Sequence, residues 1–405
     1  MTVDTHLTTE QYIALEEQYN APNYHPLDIV IERASGIWMW DVDGNKYFDF
    51  LAAYSAVNQG HCHPRIIAAA KEQLERVTLT SRAFRNDQLP FLVKELCELT
   101  GFEMTIPMNS GAEAVETAVK ACRRWAYEVK GVPDGQAEII VCEGNFHGRT
   151  TTTISFSTEA DYRKHFGPFT PGFKAIPYGD IDALRAAITP NTAAFLLEPI
   201  QGEGGVVFPK EGFLKAAAEL CKQNRVLLAV DEIQSGLGRS GKLFAFQHED
   251  VKPDVAIIGK ALSGGVLPVS AVLASREVLG LLVPGTHGST FGGSPLAARV
   301  AREALRVLVD ENLVEKSATL GAYLLEKLKT INNPLIKEIR GRGLWIGIEM
   351  KPEAGGARKY CEALKEKGLL CKETHENTIR LAPPLVVTRE ELDWAFERIA
   401  EVLHA

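Results

Sequence analysis

Two apolar runs, Val226-Leu-Leu-Ala-Val-Asp231 and Val255-Ala-Ile-Ile-Gly-Lys260, each end in one reactive side chain. Both runs are short and almost continuously hydrophobic, which is typical of strands that are buried on both faces of a sheet. Helical patterns separate such runs between about residues 58 and 310, and this alternation predicts a mostly parallel sheet flanked by helices. Because α/β sheets bind ligands at the carboxyl ends of their strands, Asp231 and Lys260 are expected at a binding site.

A carboxylate and a lysine in these two positions suit pyridoxal 5'-phosphate. The lysine amine can hold the aldehyde as a Schiff base, and the carboxylate keeps the pyridine nitrogen protonated, so that the ring accepts electrons from a substrate carbanion. Taken singly, Asp231 is better explained as a helix cap and Lys260 as a surface lysine. Their pairing, with the motifs around them, favours the cofactor.

Composition excludes several classes of function. The chain has 405 residues, 45% of them hydrophobic, and a formal charge of 44 − 52 = −8 without a long basic block, so no nucleic-acid partner is expected. No stretch approaches the roughly 18 apolar residues of a membrane helix, so no membrane partner is expected either. The N-terminus carries Asp4 and Glu10 and resembles neither a secretory signal nor a transit peptide.

The seven cysteines are scattered, odd in number and never paired as C-x-x-C, which is typical of reduced thiols and predicts a cytoplasmic protein. The stretch His61-Cys62-His63 has two metal-binding residue types, but Pro64 follows and no second cluster accompanies it. We therefore predict no metal site.

Three parts of the chain are distinguished by pattern. Residues 1–57 contain a helix at 8–19 and a hairpin whose turn is Asp43-Gly44. Residues 58–310 form the large domain with the parallel sheet, and residues 311–405 form a smaller α+β domain with long amphipathic helices at 313–331 and 388–403. The first part is expected to pack with the small domain.

One stretch has the features of an anion site. In Asn109-Ser110-Gly111-Ala112-Glu113, small residues lead directly into a helix, whose free N–H groups and dipole suit a phosphate. An ordinary serine cap explains the same residues. A second small, hydroxyl-rich loop contains Ser289 and Thr290, which are either further phosphate ligands or parts of a turn.

Other strand ends carry side chains that suit a planar cofactor and carboxylate substrates. Phe146 can stack on a ring and Arg149 can clamp a carboxylate, although a core phenylalanine and a solvated arginine would read the same way. Glu198 and Glu203 lie on a glycine-rich loop that follows another strand. Arg380 stands between apolar residues, so we expect it to be partly buried and to need an anion, either Glu203 or a substrate carboxylate.

The segment Gly236-Leu-Gly-Arg-Ser-Gly-Lys242-Leu243 fits two nucleotide-binding patterns incompletely. As a phosphate loop it lacks the hydroxyl residue after the lysine, and as a dinucleotide fingerprint its glycines start too far from the strand and no clear helix follows. We expect a flexible active-site loop. A nicotinamide dehydrogenase would rest on this segment alone, and failure to bind NAD would exclude it.

Together these stretches closely resemble the class III, or subgroup II, pyridoxal-phosphate aminotransferases of fold type I. The signature runs from Leu227 to Gly236 and from Gly259 to Gly265, and it is highly specific. The stretches 146–150, 198–203 and 287–293 match in order, so the likeness covers almost the whole chain. It implies a homodimer whose active sites are shared between subunits, with the N-terminal segment also contacting the partner.

The resemblance also implies a role for each matched residue. Lys260 carries the cofactor and, as a neutral amine with a lowered pKa, moves the substrate proton. Asp231 pairs with the pyridinium nitrogen. The remaining cofactor contacts are Gln234 at the ring hydroxyl, Phe146 stacked on the ring, Glu198 beside it, and Ser110, Gly111, Ala112, Ser289 and Thr290 at the phosphate, Thr290 coming from the partner subunit.

Within the family, three stretches are most similar to members that act on L-ornithine: Asn23-Tyr24-His-Pro26, residues 54–64 and residues 80–84. This likeness implies transfer of the δ-amino group to 2-oxoglutarate, which gives glutamate 5-semialdehyde and glutamate. Acetylornithine, 4-aminobutyrate or another ω-amine is the alternative substrate, and His147 does not favour ornithine.

The implied substrate contacts use two arginines. Arg149, helped by Tyr24 and Tyr54, binds the α-carboxylate of ornithine, and later the distal carboxylate of 2-oxoglutarate. Arg380 binds the α-carboxylate of glutamate and 2-oxoglutarate, and Glu203 neutralises Arg380 while ornithine reacts. A non-catalytic protein that kept the fold is a different class of function, and the presence of Lys260 argues against it.

Overall fold

The computed structural model describes residues 7–404. Its N-terminal segment contains α1 (Thr9–Tyr19), β1 (Ile31–Ser35), β2 (Trp38–Asp41) and β3 (Lys46–Asp49). Helix α1 begins at the predicted place because Thr8 and Gln11 form a reciprocal capping box. Strands β2 and β3 form the predicted antiparallel hairpin, and β1 pairs with β2 as an addition to it. Residues 1–6 of this predicted part lie outside the described residues.

The central sheet has seven strands, and it confirms the predicted α/β fold class. They are β4 (Met104–Met108), β5 (Glu138–Cys142), β6 (Phe173–Ile176), β7 (Thr192–Leu197), β8 (Leu227–Asp231), β9 (Val255–Ile258) and β10 (Ser270–Ala274). The order is β4-β10-β9-β8-β7-β5-β6, and the five strands from β9 to β6 are parallel. Strand β10 runs antiparallel to both of its neighbours.

Helices cover both faces of this sheet. They are α2 (Ala52–Ser55), α3 (Pro64–Leu74), α4 (Leu89–Thr100), α5 (Gly111–Trp125), α6 (Thr151–Ser155), α7 (Ala160–Arg163), α8 (Ile181–Ala187), α9 (Phe213–Gln223), α10 (Arg276–Leu279) and α11 (Pro295–Asp310). Alternate residues of β8 point into different cores: Leu228 and Val230 into one, Leu227 and Ala229 into the other. Burial on both faces explains why these strands are continuously apolar.

The C-terminal part forms a smaller antiparallel sheet with three helices. Its elements are α12 (Leu313–Leu328), β11 (Ile336–Gly341), β12 (Ile346–Met350), α13 (Arg358–Glu366), β13 (Leu369–Leu370), β14 (Lys372–Thr374), β15 (Thr378–Leu381) and α14 (Arg389–His404). The sheet order is β11-β12-β15-β14, whereas β13 pairs with β3 of the N-terminal segment. We propose residues 57 and 310 as the domain boundaries, since α11 ends at Asp310 and packs on α3 and α4 of the large domain.

The glycine-rich segment 236–242 differs from its prediction as a flexible active-site loop. Residues 236–241 are buried. The Arg239 guanidinium, fully buried, donates hydrogen bonds to the carbonyl oxygens of Leu344 and Pro383 and to Asn58 Oδ1. The segment therefore joins the large domain to the small one, and the pocket described below is not lined by it.

Among residues 7–404, no helix combines the length and the apolar composition that crossing a bilayer requires.

Candidate active site

Asp231 and Lys260 meet at the carboxyl edge of the central sheet, as predicted. Asp231 is the last residue of β8, and Lys260 follows the end of the adjacent strand β9 by two residues. Both line a pocket of about 210 Å³. Lys260 has a φ of +46°, a left-handed conformation that strains a residue with a side chain by about 1–3 kcal/mol. Such strain is typical of positions where function dictates the backbone.

Burial lowers the pKa of Lys260 to about 8. The pocket disfavours the ammonium form, the nearby Glu203 carboxylate opposes this effect, and the Arg380 guanidinium reinforces it. A considerable fraction of the lysine is therefore a neutral amine near physiological pH, which is the form that acts as a nucleophile or a base.

Asp231 is fixed by two hydrogen bonds. His147 Nδ1 lies 2.7 Å from Asp231 Oδ2, and the backbone N–H of Ile233 donates to Oδ1 over 3.0 Å. Burial alone would lower the pKa of His147, but the hydrogen bond to Asp231 and its negative charge outweigh burial and raise this pKa. The sequence placed His147 beside Phe146 but assigned it no role in the site; the structure shows that it orients the carboxylate.

The N-terminus of α5 lies at the pocket, where it can bind an anion such as phosphate. Ser110 caps the helix, and its hydroxyl accepts the backbone N–H of Glu113 at 3.2 Å. Gly111 and Ala112 line the pocket, where the first N–H groups of a helix have no partner within the helix. A Cβ on Gly148, whose φ is +120°, would lie 2.9 Å from Ala112 Cβ. This glycine therefore allows the loop that contains Phe146 to approach the start of α5.

Ser289 and Thr290 lie outside the Lys260 pocket of their own chain. They line a neighbouring cavity of about 470 Å³ together with Asn109 and Glu113. The hydroxyl of Ser289 already accepts hydrogen bonds from Asn109 Nδ2 at 2.9 Å and from the N–H of Gly292 at 3.0 Å. Ser289 is thus engaged in holding its loop, and Thr290 is exposed.

Phe146, Glu198 and Gln234 surround the remaining part of the pocket. The Phe146 N–H donates to Glu198 Oε2 at 3.0 Å. Burial raises the pKa of Glu198 to about 7, with the charge of His147 opposing and that of Asp231 adding to the effect. Gln234 Nε2 donates to Glu203 Oε1 at 3.2 Å, whereas Gln234 Oε1 is buried and has no hydrogen-bond partner among residues 7–404.

Arg380 is buried and paired with Glu203, as predicted from its apolar neighbours. Its Nη1 donates to Glu203 Oε1 at 2.7 Å, and its guanidinium carbon lies 4.7 Å from the centre of the Tyr54 ring. Burial disfavours the Glu203 carboxylate, but Arg380 and Lys260 outweigh this effect and lower its pKa to about 2. The pair is therefore a salt bridge across the physiological pH range.

Arg149 is exposed and stacked on an aromatic ring that was absent from the predicted site. Its guanidinium carbon lies 3.5 Å from the centre of the Tyr162 ring and 5.4 Å from that of Phe146. Tyr162 belongs to α7, a helix of four residues that has no clear sequence pattern. Stacking of this kind orients the guanidinium plane while its N–H groups stay free for a carboxylate.

Tyr54 lies in a left-handed turn, since Ala52, Ala53, Tyr54 and Ser55 have φ values of +49°, +46°, +59° and +71°. Asp49 supports the turn, because its Oδ1 accepts the N–H groups of Leu51 at 2.8 Å and of Ala52 at 2.9 Å. His61 Nε2 in turn lies 2.7 Å from Asp49 Oδ2. One histidine of the His-Cys-His stretch thus holds the turn that presents Tyr54.

Tyr24 is the least enclosed of the expected substrate residues, with 80% of its surface exposed. Tyr24 lies within electrostatic range of Tyr54. Burial raises the pKa of Tyr54, the charge of Arg380 opposes this increase, and Glu203, Tyr24 and Glu373 add to it. Tyr54 thus covers the Arg380 pair, with Tyr24 on its outer, exposed side.

The pocket fits a phosphorylated pyridine aldehyde. An amine, Lys260, and a carboxylate, Asp231, share one cavity with the flat ring of Phe146. The unpaired Gln234 Oε1 can accept a hydrogen bond from a ring hydroxyl, and the start of α5 offers N–H groups to a phosphate. The residues present thus match each functional group of pyridoxal phosphate.

The lowered pKa of Lys260 leads to a prediction about its reactivity. In the cofactor-free protein, acylation of Lys260 should rise as the pH passes through about 8, because the unreactive ammonium form dominates below this value. Brief labelling with acetic anhydride between roughly pH 6 and pH 10, followed by mass spectrometry of the Lys260 peptide, measures this midpoint. The exposed Lys359 gives the general pH response of the reagent.

The Glu203→Gln variant should move the Lys260 midpoint to lower pH, since it removes a carboxylate that stabilises the ammonium form. A wild-type midpoint near that of an ordinary lysine, about 10.4, would contradict the effect of burial.

Comparison with known proteins identifies the family to which this chain belongs. The model of the family "Aminotransferase class-III" matches residues 19–403. An ornithine aminotransferase from Brevibacillus brevis is 64% identical over 396 residues, which cover 98% of each chain.

Two solved structures have the same fold. An ornithine aminotransferase from Toxoplasma gondii, described with partial occupancy of PLP at its active site, has a TM-score of 0.97 and 49% identity, covering 98% of this chain and 95% of that one. An acetylornithine aminotransferase from Elizabethkingia anophelis has a TM-score of 0.90 and 49% identity, covering 98% and 99%. The protein is therefore a member of the class III aminotransferase family.

Proposed function

We propose that the protein is a pyridoxal-phosphate-dependent ornithine δ-aminotransferase, which converts L-ornithine and 2-oxoglutarate into L-glutamate 5-semialdehyde and L-glutamate. One observation carries the choice of the δ-amino group: Arg380 is occupied by Glu203 and covered by Tyr54, whereas Arg149 is exposed and forms no ion pair among residues 7–404. The high identity to proteins named ornithine aminotransferase supports the same substrate.

Arg149 binds the α-carboxylate of ornithine in this proposal. Its stacking on Tyr162 fixes the guanidinium plane, and a guanidinium suits bidentate binding of a carboxylate. The hydroxyls of Tyr24 and Tyr54 add hydrogen bonds to the same end of the substrate. With the α-carboxylate held there, the δ-amino group is the end that reaches Lys260.

Glu203 controls which carboxylate Arg380 binds. While ornithine reacts, the salt bridge keeps Arg380 from attracting the α-carboxylate and presenting the wrong amine. When 2-oxoglutarate enters, its α-carboxylate replaces Glu203 on Arg380, and Arg149 takes the distal carboxylate. This exchange leaves the buried guanidinium paired at every stage, which avoids the several kcal/mol penalty of an unpaired buried charge.

Lys260 moves the proton of the reacting carbon. When bound, pyridoxal phosphate supplies the electron sink that makes this carbon acidic. The neutral Nζ of Lys260 removes the proton from the δ-carbon of ornithine, a role that its pKa of about 8 permits near neutral pH. Asp231 provides the negative charge at the ring nitrogen, and its contact with His147 keeps it in position.

The other cofactor contacts follow the predicted set. Gln234 accepts the ring hydroxyl, Phe146 stacks on the ring and Glu198 lies beside it. The phosphate binds at the start of α5 through Ser110, Gly111 and Ala112. The loop that contains Ser289 and Thr290 completes the phosphate site from the partner subunit.

The position of this loop supports a homodimer. Thr290 lies outside the Lys260 pocket of its own chain, which agrees with a role at the site of a partner subunit. The neighbouring Phe291 and the distant Phe84 are 57% and 75% exposed, as expected for residues that a partner covers. We further propose a cytoplasmic location, supported by the seven free cysteines, and a role in arginine and proline metabolism.

Substrate preference is the direct test of the proposed reaction. With 2-oxoglutarate as acceptor, kcat/KM for ornithine should exceed that for N-acetylornithine and for 4-aminobutyrate by at least about tenfold. The first competitor replaces the α-ammonium with a bulky neutral amide, and the second lacks it, so neither satisfies both tyrosines. Initial rates and detection of the semialdehyde provide the measurement, and a preference for either competitor would reject ornithine as the substrate.

The Glu203→Gln variant tests the control of Arg380. Without the carboxylate, Arg380 should attract the α-carboxylate of ornithine, so that transfer from the α-amino group rises from a trace to a substantial share of the product. Chromatographic separation of 5-amino-2-oxopentanoate from the semialdehyde measures the ratio. The exposed Glu353→Gln is the matched control, and an unchanged ratio in Glu203→Gln would refute this role.

Mixed dimers test the shared site. Lys260→Ala should abolish activity, and Thr290→Ala should weaken cofactor binding by about tenfold through loss of a hydrogen bond to a charged group. A mixture of the two variants should regain one tight, active site per mixed dimer, which combines Lys260 from one subunit with Thr290 from the other. As a control, a mixture of Lys260→Ala with the double variant Lys260→Ala/Thr290→Ala should regain no activity. Absence of recovery in the first mixture would contradict a site shared between subunits.

A further inference from the structure

The segment that carries Tyr24 has no regular secondary structure. It connects α1 to β1, and Tyr24 stands exposed immediately before His25 and Pro26. His25, the residue before Pro26, favours an extended conformation, so its carbonyl group is not bound within a helix and can accept hydrogen bonds from other segments. Whatever binds the carbonyls of this stretch determines where Tyr24 lies.

Two cations of the small domain bind these carbonyls. Arg358 at the start of α13 donates to the carbonyl oxygens of Pro26 at 2.7 Å and of His25 at 3.2 Å. Lys372 at the start of β14 donates to the same His25 oxygen at 3.1 Å. Among residues 7–404, the side-chain hydrogen bonds to segment 21–28 all come from these two residues.

Glu373 holds the two cations in place. Its Oε1 accepts Lys372 Nζ at 2.8 Å and Arg358 Nη1 at 3.3 Å. One carboxylate with two cations fixes long side chains more firmly than a single exposed ion pair does. Arg358 Nε also donates to Glu362 Oε1 at 2.8 Å, which leaves Nη1 and Nη2 directed at the backbone of the Tyr24 segment.

The same short strand also contacts the other substrate-binding groups. Lys372 of β14 lies opposite Arg380 of β15 in the sheet register. Thr374, two residues further on β14, donates its hydroxyl to the backbone oxygen of Glu203 at 2.5 Å. Strand β14 thus places the Tyr24 segment relative to both members of the Arg380 pair.

We propose that Arg358 and Lys372 are positioning residues for ornithine recognition, because they fix the backbone of His25 and Pro26, directly after Tyr24. This inference rests on the proposed function in so far as Tyr24 binds the amino acid end of ornithine. The planar fork of Arg358 reaches two successive carbonyls, which a lysine in its place cannot do. Loss of the anchor leaves Tyr24 on a free segment whose ordering then opposes substrate binding.

Kinetics of both half-reactions test the proposal in the holoenzyme. The variants Arg358→Ala and Lys372→Ala should each raise KM for ornithine, and together they should raise it about tenfold, while kcat changes little and KM for 2-oxoglutarate stays within about twofold. Arg358→Lys should fall between wild type and Arg358→Ala. The exposed Lys359→Ala on the same helix is the control for loss of positive charge.

A double-mutant cycle with Tyr24→Ala separates positioning from general destabilisation. If the anchor acts through Tyr24, Arg358→Ala should have almost no further effect on ornithine once Tyr24 is gone. An equal loss in both backgrounds would overturn the proposal, and so would an equal loss for ornithine and 2-oxoglutarate.

Hydrogen exchange tests the anchor without any substrate. The amide of Asn23, which donates to the carbonyl oxygen of Ala21 at 2.8 Å, should exchange about tenfold faster in the double variant than in wild type or Lys359→Ala, with the central sheet unchanged. Unchanged exchange overturns the anchor even if ornithine is the substrate. Faster exchange in a protein that does not turn over ornithine would instead reject the proposed function and keep the anchor.

Discussion

The arrangement of this site depends on the guanidinium of Arg380, which is only 2% exposed. Arg380 cannot be left without an anion, because an unpaired charge at such a depth costs several kcal/mol. Glu203 satisfies it at 2.7 Å, and a carboxylate that enters the site must displace Glu203 to reach the arginine. In the proposed function, this one buried charge makes two substrates exclude each other at the same place. While Glu203 is paired with Arg380, its pKa is lowered to about 2, so the residue that an incoming carboxylate displaces is itself an anion.

Backbone strain accompanies the same chemistry. Lys260 and the turn that holds Tyr54 both have positive φ values, and in both cases neighbouring groups impose the conformation. Lys260 is held between a buried strand and a tight turn, and Tyr54 depends on the two N–H groups that Asp49 accepts. Strand β8 carries the Asp231 carboxylate, whereas strained backbone positions set the direction of Lys260 and of Tyr54.

The fold and the centre of the site were predictable because burial on both faces forces strands such as β8 to be continuously apolar. An apolar run of this kind predicts the strand and also marks the residue at its carboxyl end, here Asp231. Contacts between distant segments left weaker signals: Tyr162 lies on a helix of four residues, and only tertiary packing brings it under Arg149. The prediction for segment 236–242 was wrong because glycines and an arginine suggest exposure, while the buried Arg239 finds its partners in backbone carbonyls of the small domain.

Backbone carbonyl groups have no sequence signature. Hydrogen bonds to them that join the small domain to the rest of the chain therefore could not be predicted from the sequence. Arg239 and Arg358 both bind carbonyl oxygens, the first that of Pro383 and the second that of Pro26. Both contacts fix the position of a segment rather than the chemistry of a residue. The cofactor pocket can therefore be inferred from strand ends of the large domain. In the proposed function, by contrast, substrate choice depends on Arg380 and on the segment of Tyr24, both of which are held by contacts of the small domain.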